Sequence, residues 1–376
     1  MRVAINTRFL LPTKMEGFGW YAYEISKRLV ENHPDVDFVF FFDRPYDQKF
    51  VFGANVTPVV LYPQARHPIL FKIWFDFSIK RALRKYKPDV FFSPDGYLCL
   101  KTNVPQVPVI HDVNFEHHPE DLPKTARNYL QKYFPKFARK ASQIITVSNY
   151  SKSDISATYG IDTSKIHAIW NGASEVFRPL EKKEQESIRR QYTDGKDYFL
   201  FVGALHPRKN LKRLLKAYEG LITNNPSIDT QLVIVGEELW KNTSFDLEIS
   251  DVIKSRIHFT GHVKLEELAK IMGSAFAFTF VPYFEGFGIP IVEAMKCGTP
   301  ILSGNLTSLP EVAGDAAIYC DPFDIKDIQQ KLLQLSTDAS LRTSLSKKSL
   351  ERSKLFSWDI AAKNVWNVLL KEIENI

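Results

Sequence analysis

Short apolar runs separated by longer amphipathic stretches recur along the chain, and this alternation limits the fold more than any single residue. Val3–Asn6 reads as a strand and Trp20–Val30 as a helix; Phe38–Phe42 is again a strand and Leu70–Tyr86 a helix. Val90–Ser93 and Val107–Ile110 read as strands, Ala126–Ala141 as a helix and Gln143–Val147 as a strand. Strands spaced by helices in this way predict a parallel sheet with helices packed on its faces.

Arg178–Asp197 interrupts the pattern with a charged stretch poor in apolar residues, read as a linker or as the first helix of a second domain. The alternation then restarts. Tyr198–Val202, Gln231–Val235, Ile257–Thr260, Phe276–Val281 and Pro300–Ser303 read as strands, and Leu211–Ile222, Leu265–Met272 and Ile291–Lys296 as helices. A chain of 376 residues exceeds one ordinary core. The expectation is an α/β protein of two Rossmann-like domains, residues 1–175 and 176–357. Ligands of such sheets sit at the carboxyl ends of the strands, so a cleft between the two halves is the expected site.

Charge and cysteine usage narrow the classes. With 49 Lys+Arg against 43 Asp+Glu the net charge is +6, which suits anionic ligands without arguing for nucleic acid, and no nucleic-acid module is visible. Cys99, Cys297 and Cys320 show no metal or disulfide spacing and read as reduced thiols of a cytoplasmic protein. No run of about 18 apolar residues predicts a spanning helix. The one D-x-D, Asp35-Val-Asp37, precedes a strand and so lies at the wrong end of a sheet to hold a metal at the ligand edge. No metal site is expected.

The most informative segment is Phe280-Val-Pro-Tyr-Phe-Glu-Gly-Phe-Gly-Ile-Pro-Ile-Val-Glu-Ala-Met295. A strand ends near Pro282, and a loop with Gly286, Phe287 and Gly288 leads through Ile289 into a helix with Pro290 in its first turn. Free N–H groups and the dipole at such a helix start favour phosphate. Glu285 and Glu293 would repel phosphate, so they suit hydroxyl donors such as those of a sugar. The same residues also read as an acidic helix start with no ligand at all.

In Phe201-Val-Gly-Ala-Leu-His-Pro-Arg-Lys-Asn210 a strand enters a turn at Gly203. Arg208 and Lys209 there would neutralise a diphosphate, or form a solvated basic loop, and Asn210 suits a helix cap. Lys14–Tyr21 places Gly17 and Gly19 between the first strand and its helix, where backbone can approach a ligand closely. His111-Asp112 ends a strand, where a histidine is either structural or functional. Ser151 and Asp154 form an S-x-x-D capping box. Leu70–Lys87 mixes large aromatics with Lys and Arg, which suits a basic-faced core helix or an anionic membrane surface.

Glu285 and Glu293, with seven residues between them in EGFGIPIVEAMKCGTP, resemble the E-x7-E signature of family 4 glycosyltransferases, and the likeness spans nearly the whole chain. The resemblance implies a GT-B fold and a retaining, metal-independent transfer from a nucleotide-sugar to a glycan or polyprenyl-linked acceptor. It gives Glu285 the donor sugar, Glu293 the ribose diol, and Arg208 and Lys209 the diphosphate. His111 falls to the donor sugar, Gly17 and Gly19 to donor contacts through backbone, and Gly203, Gly286, Phe287, Gly288 and Ile289 to the donor site. Gly236, His262 and Val263 would border the base, and Ser148 would face the ligand. The last helix, 358–376, would pack back on the first domain, with Ser357 as its cap. LTSLPEVAGDAA is closest to mannosyltransferases of bacterial surface polysaccharides, which makes GDP-mannose the first expected donor and a UDP-sugar the second. A sugar-nucleotide epimerase, a phosphorylase or a non-catalytic sugar-nucleotide-binding subunit are the competing readings. Peripheral membrane contact through 70–87 is expected if the acceptor is lipid-linked.

Overall fold

The computed structural model describes residues 1–12, 15, 17–237 and 250–374. The chain divides into two compact units, Met1–Asn171 with Ser357–Ile376, and Gly172–Phe356.

In the first unit the elements are β1 (Arg2–Asn6), α1 (Gly17–Asn32), β2 (Asp37–Phe42), β3 (Val56–Val60), α2 (Pro68–Ile73), a π-helical turn (Trp74–Ile79), α3 (Lys80–Tyr86), β4 (Val90–Ser93), β5 (Gln106–Pro108), α4 (Asn114–His117), α5 (Lys124–Lys140), β6 (Ile144–Thr146), α6 (Asn149–Tyr159) and β7 (Ile166–Ala168). The main sheet has the order β3-β2-β1-β4-β5, all parallel. β2 is DFVFFF with five consecutive buried residues, the continuous apolar run that a strand covered on both faces requires. β3 carries Pro58, which masks its strand pattern, and it is an edge strand, where a missing N–H is tolerated. Val109 bridges to Ile145 and brings the β6-β7 pair beside β5.

The helix expected over 70–86 is three pieces. Trp74 and Phe75, at the start of the π turn, are both buried, and the Trp74 indole N–H donates to Leu61 O at 2.8 Å. Gly17 and Gly19 are not in a loop before the first helix. They are its first turn, because α1 begins at Gly17, earlier than the apolar periodicity indicates. Lys14 and Glu16, which precede them, lie outside the described residues. Ser151 does not cap α6. Ser148 does, its Oγ accepting from Ser151 N at 3.0 Å, while Asp154 pairs with His117 Nε2 at 2.7 Å.

The second unit contains α7 (Lys182–Thr193), β8 (Tyr198–Val202), α8 (Leu211–Asn224), β9 (Gln231–Val235), α9 (Asp251–Lys254), β10 (Ile257–Gly261), α10 (Leu265–Ser274), β11 (Ala277–Phe280), α11 (Ile289–Cys297), β12 (Ile301–Gly304), α12 (Leu309–Ala313), β13 (Ala317–Cys320), α13 (Ile325–Thr337) and α14 (Ala339–Ser353). Its parallel sheet has the order β10-β9-β8-β11-β12-β13. A core of Phe199, Phe201, Leu214, Leu221, Ile234 and Leu302 fills the space between sheet and helices.

α15 (Trp358–Glu374) rejoins the first unit. Ser357 Oγ accepts from Asp359 N at 3.2 Å, as expected of a cap. Trp366 stacks on His33 at 3.9 Å, Trp358 meets Tyr21 edge-on at 6.0 Å, and Asp359 pairs with Arg28. In each sheet the strand order reverses at one place, between β1 and β4 and between β8 and β11. Loops leaving the carboxyl ends of strands at such a switch point diverge and leave a crevice for ligands.

Candidate active site

In the second unit the two loops at the switch point are stitched together. After β8 the chain makes a short 3-10 turn, Pro207–Lys209, entered through buried His206, whose Nδ1 accepts from Arg208 N. After β11, Tyr283 N donates to Arg208 O at 3.1 Å, Glu285 N donates to Thr307 Oγ1 at 3.3 Å, and Ser308 Oγ donates to Glu285 O at 2.8 Å. The Glu285 loop is thus clamped between the Arg208 turn and the turn after β12.

Asn210 occupies the position before α8 but makes no side-chain cap. It is buried, and its amide donates to Val281 O at 2.9 Å and Pro322 O at 2.6 Å. Those bonds fix the ends of β8 and β11 relative to each other. Sequence pattern alone favours the cap, because Asn before an apolar helix is the usual sign of one. His206, Thr307 and Ser308 are absent from the sequence-based site, since their work is to hold backbone and they carry no chemical signature.

The charged centre is built on this frame. Lys209 Nζ lies 2.6 Å from Glu285 Oε2, and Arg208 Nη1 lies 3.0 Å from the same oxygen. Arg208 also donates to Phe284 O at 3.3 Å, and the Lys209 ammonium sits 4.9 Å from the Phe280 ring centre. Burial alone would raise the Glu285 pKa, but Lys209 and Arg208 outweigh it and hold the carboxyl below its ordinary range. Two cations therefore converge on one carboxylate oxygen at a sheet's switch point.

Glu293 has the opposite environment. It stands in the second turn of α11 and, among the described residues, makes no hydrogen bond or ion pair. Burial pushes its pKa up to about 8. A desolvated acid in this setting is positioned to receive hydroxyl groups from a ligand. α11 itself starts after Gly288, a left-handed residue at φ 92°, with Pro290 in its first turn. Phe287 packs edge-on against Phe356 at 5.9 Å.

Three strand ends border this centre. Gly203 N donates to Val235 O and Gly236 N to Gly261 O, each at 3.0 Å. A Cβ on Gly236 would stand 1.9 Å from Gly203 O, so no other residue fits there. His262 is exposed and Val263 partly so, beyond the end of β10.

In the first unit, Gly19 has no room for a side chain either: a Cβ would meet Phe9 O at 2.8 Å. His111 follows β5 and its Nε2 lies 2.8 Å from Pro94 O. A carbonyl only accepts, so Nε2 carries the proton and Nδ1 is the acceptor nitrogen. Burial lowers the His111 pKa to about 4, so the ring is neutral near pH 7. Ser148 is buried, and its Oγ accepts the α6 cap bond from Ser151 N. Asp37 pairs with Arg2 at the amino end of β2, away from the ligand edge of that sheet. Among the described residues no group of three or more His, Cys, Asp or Glu is arranged to hold a metal, and no helix is long and apolar enough to cross a membrane.

Comparison with known proteins agrees with this layout. Residues 182–352 match the family described as glycosyl transferases group 1, and residues 15–175 match glycosyltransferase family 4. The O-antigen chain mannosyltransferase B of Escherichia coli is 29% identical over 92% of this chain and 93% of its own. The MMP alpha-(1->4)-mannosyltransferase of Mycolicibacterium hassiacum is 25% identical over 100% of this chain and 99% of its own. Among solved structures, WaaG, a glycosyltransferase of lipopolysaccharide biosynthesis, superposes with a TM-score of 0.77 at 14% identity, covering 97% of this chain and 99% of that one.

Proposed function

The chain belongs to the family 4 glycosyltransferases, and from that premise we propose that it transfers mannose from GDP-mannose, with retention and without a metal, to a glycan or lipid-linked acceptor of a bacterial surface polysaccharide. The observation that carries this reading is the convergence of Lys209 and Arg208 on Glu285, with Glu293 on the helix that follows. A nucleoside diphosphate complements each group. Its phosphates take over the two cations, and its ribose hydroxyls donate to Glu293. Gly203, Gly236, Gly286, Gly288 and Ile289 provide backbone on which the nucleotide lies, and His262 and Val263 border the base. Mannose is favoured over other sugars by the two full-length mannosyltransferase relatives; a UDP-sugar is the second choice.

Catalysis then rests on charge. As the bond from C1 to the diphosphate oxygen breaks, negative charge grows on the leaving group, and Arg208 and Lys209 stabilise it without a divalent ion. Glu285 orients the sugar through its hydroxyls, a positioning task. The acceptor hydroxyl attacks C1 from the leaving group's side and passes its proton to the departing phosphate oxygen.

Membrane contact fits the same account. Tyr62, Ile69 and Phe77 are 66%, 65% and 59% exposed, and Lys101 sits over Phe77 at 4.7 Å, beside the basic residues of α2 and α3. A lipid-linked acceptor would bring such a surface to an anionic bilayer.

The test is incubation with radiolabelled GDP-mannose, UDP-glucose and UDP-galactose in excess EDTA, with an extract of polyprenyl-linked glycans as acceptor. Label should move from GDP-mannose to the lipid fraction. Movement only after Mg²⁺ or Mn²⁺ is restored, or from a UDP-sugar alone, would refute the metal or the donor assignment respectively.

A further inference from the structure

Around the switch point of the first unit, a run of side-chain interactions closes into a ring. Arg8 Nε donates to Asp95 Oδ2 at 2.5 Å, with both side chains almost fully buried. The Arg8 guanidinium lies 4.6 Å from the Phe9 ring centre, and Phe9 lies 5.9 Å from Phe18. Phe18 meets His111 edge-on at 4.8 Å, and His111 is tied to Pro94 O, whose residue is bonded to Asp95. The circuit joins the carboxyl ends of β1, β4 and β5 to the first turn of α1. It leaves one large apolar side chain in solvent: Phe18 is 47% exposed.

Single exposed apolar residues are ordinary. Phe18 differs in where it stands and how it is held. It sits at the ligand edge of the sheet, at the reversal of strand order, and its ring is fixed by aromatic neighbours on two sides. The circuit also contains a buried ion pair, an arrangement that adds little net stability and is better explained by what it positions. Beside the exposed ring, His111 Nδ1 offers an acceptor for a hydroxyl. A fixed aromatic face next to a hydroxyl acceptor matches a pyranose, which has an apolar C–H face and polar edges.

We propose that Phe18 is the stacking platform for the acceptor's terminal pyranose. This rests on the transferase reading above: the nucleotide is bound by the second unit, so the acceptor sugar needs a platform of its own, and Phe18 with His111 Nδ1 supplies one at the ligand edge of the first unit's sheet. Phe18 thereby sets which acceptor sugar is accepted, while the nucleotide is bound in the second unit without it.

The experiment is saturation-transfer NMR on the full chain, with a panel of methyl glycopyranosides of mannose, glucose, galactose, rhamnose and N-acetylglucosamine. GDP affinity is measured by titration calorimetry in parallel. Wild type should saturate the C–H face protons of at least one glycoside. Phe18→Ala should weaken that binding roughly five- to tenfold, Phe18→Trp should keep it, and GDP affinity should stay within about twofold, as expected for a side chain outside the nucleotide site. Unchanged glycoside binding in Phe18→Ala, no saturation of any panel member by wild type, or an equal loss of GDP affinity would each overturn the assignment. Failure of the transferase reading shows separately, as absence of label transfer from any nucleotide-sugar while the glycoside still binds.

Discussion

Lys209 Nζ and Glu285 Oε2 are 2.6 Å apart, and Arg208 shares that oxygen at 3.0 Å. The carboxylate thus occupies the two cations that a diphosphate needs. On the proposed function, a bound diphosphate would exchange one set of anionic oxygens for another and keep both cations neutralised.

Arg208→Ala should therefore lower the turnover number by on the order of 10²-fold, the scale of losing one donor to transition-state charge. Lys209→Ala should behave similarly, and the double variant should cost less than the product of the two, because both act on the same oxygens. Initial rates of label transfer measure this. A drop of less than about threefold in both single variants would remove the cations from the mechanism.

Glu293 gives a pH prediction. Its carboxyl is raised from 4.5 to about 8 in the folded protein. The fold binds a proton that the unfolded chain lacks, so this contribution to stability is full below pH 4.5 and is lost as pH rises through 8. Ribose hydroxyls donating to the carboxylate favour its charged form, so GDP binding should release a proton below pH 8 and tighten as pH approaches 8. Glu293→Gln should remove both effects. Calorimetry of GDP binding in buffers of different ionisation enthalpy reads the proton count directly, and equal proton release in wild type and variant would contradict the assignment.

Arg8 and Asp95 give a stability prediction. Arg8→Met leaves a carboxylate buried without its partner, at a cost of about 3–5 kcal/mol. Thermal unfolding followed by circular dichroism should show the midpoint falling by roughly 10 °C. Adding Asp95→Leu should recover most of the loss, since an apolar pair of similar volume is often as stable as the ion pair. A double variant less stable than Arg8→Met would show that the bonds Asp95 Oδ1 accepts from Ser93 Oγ at 3.0 Å and Tyr97 N at 3.2 Å, not the charge, hold the region.

Much of the fold is legible in the sequence because parallel strands buried on both faces are continuous apolar runs. Phe38–Phe42 and Tyr198–Val202 could hardly be anything else. β3 is hidden by Pro58 and by its edge position, and α2, the π turn and α3 read as one helix because backbone hydrogen bonding does not alter side-chain composition. The candidate site is legible where charge forces residue type, as at Glu285, Arg208 and Lys209, which the fold brings together. It is illegible where residues hold backbone. Asn210 looks like a cap and is a buried clamp. Ser148 makes the cap expected of Ser151 and Asp154. The pairing of Glu285 with both cations, and the placing of Phe18 on His111, depend on long-range geometry that spacing does not encode.

The basic aromatic stretch supplies a prediction about location. Liposomes with anionic lipid should carry the protein upward in a flotation gradient. A Lys80→Glu, Arg81→Glu, Arg84→Glu triple variant should stay at the bottom, each charge near the surface being worth about 1 kcal/mol. Equal flotation of the two proteins, or none by wild type, would remove the membrane role.

On the proposed mechanism, attack by the acceptor on the side of the departing diphosphate, with Arg208 and Lys209 holding the charge, would fix the stereochemistry of the product. The decisive observable is the one-bond C1–H1 coupling of the newly formed linkage, read by NMR on product made from GDP-mannose labelled with ¹³C at C1. An α-linked product is expected from the α-linked donor. A β-linked product would be incompatible with same-side attack, because inversion requires a base on the opposite face, and Asp112 beside His111 would then be the first residue to examine.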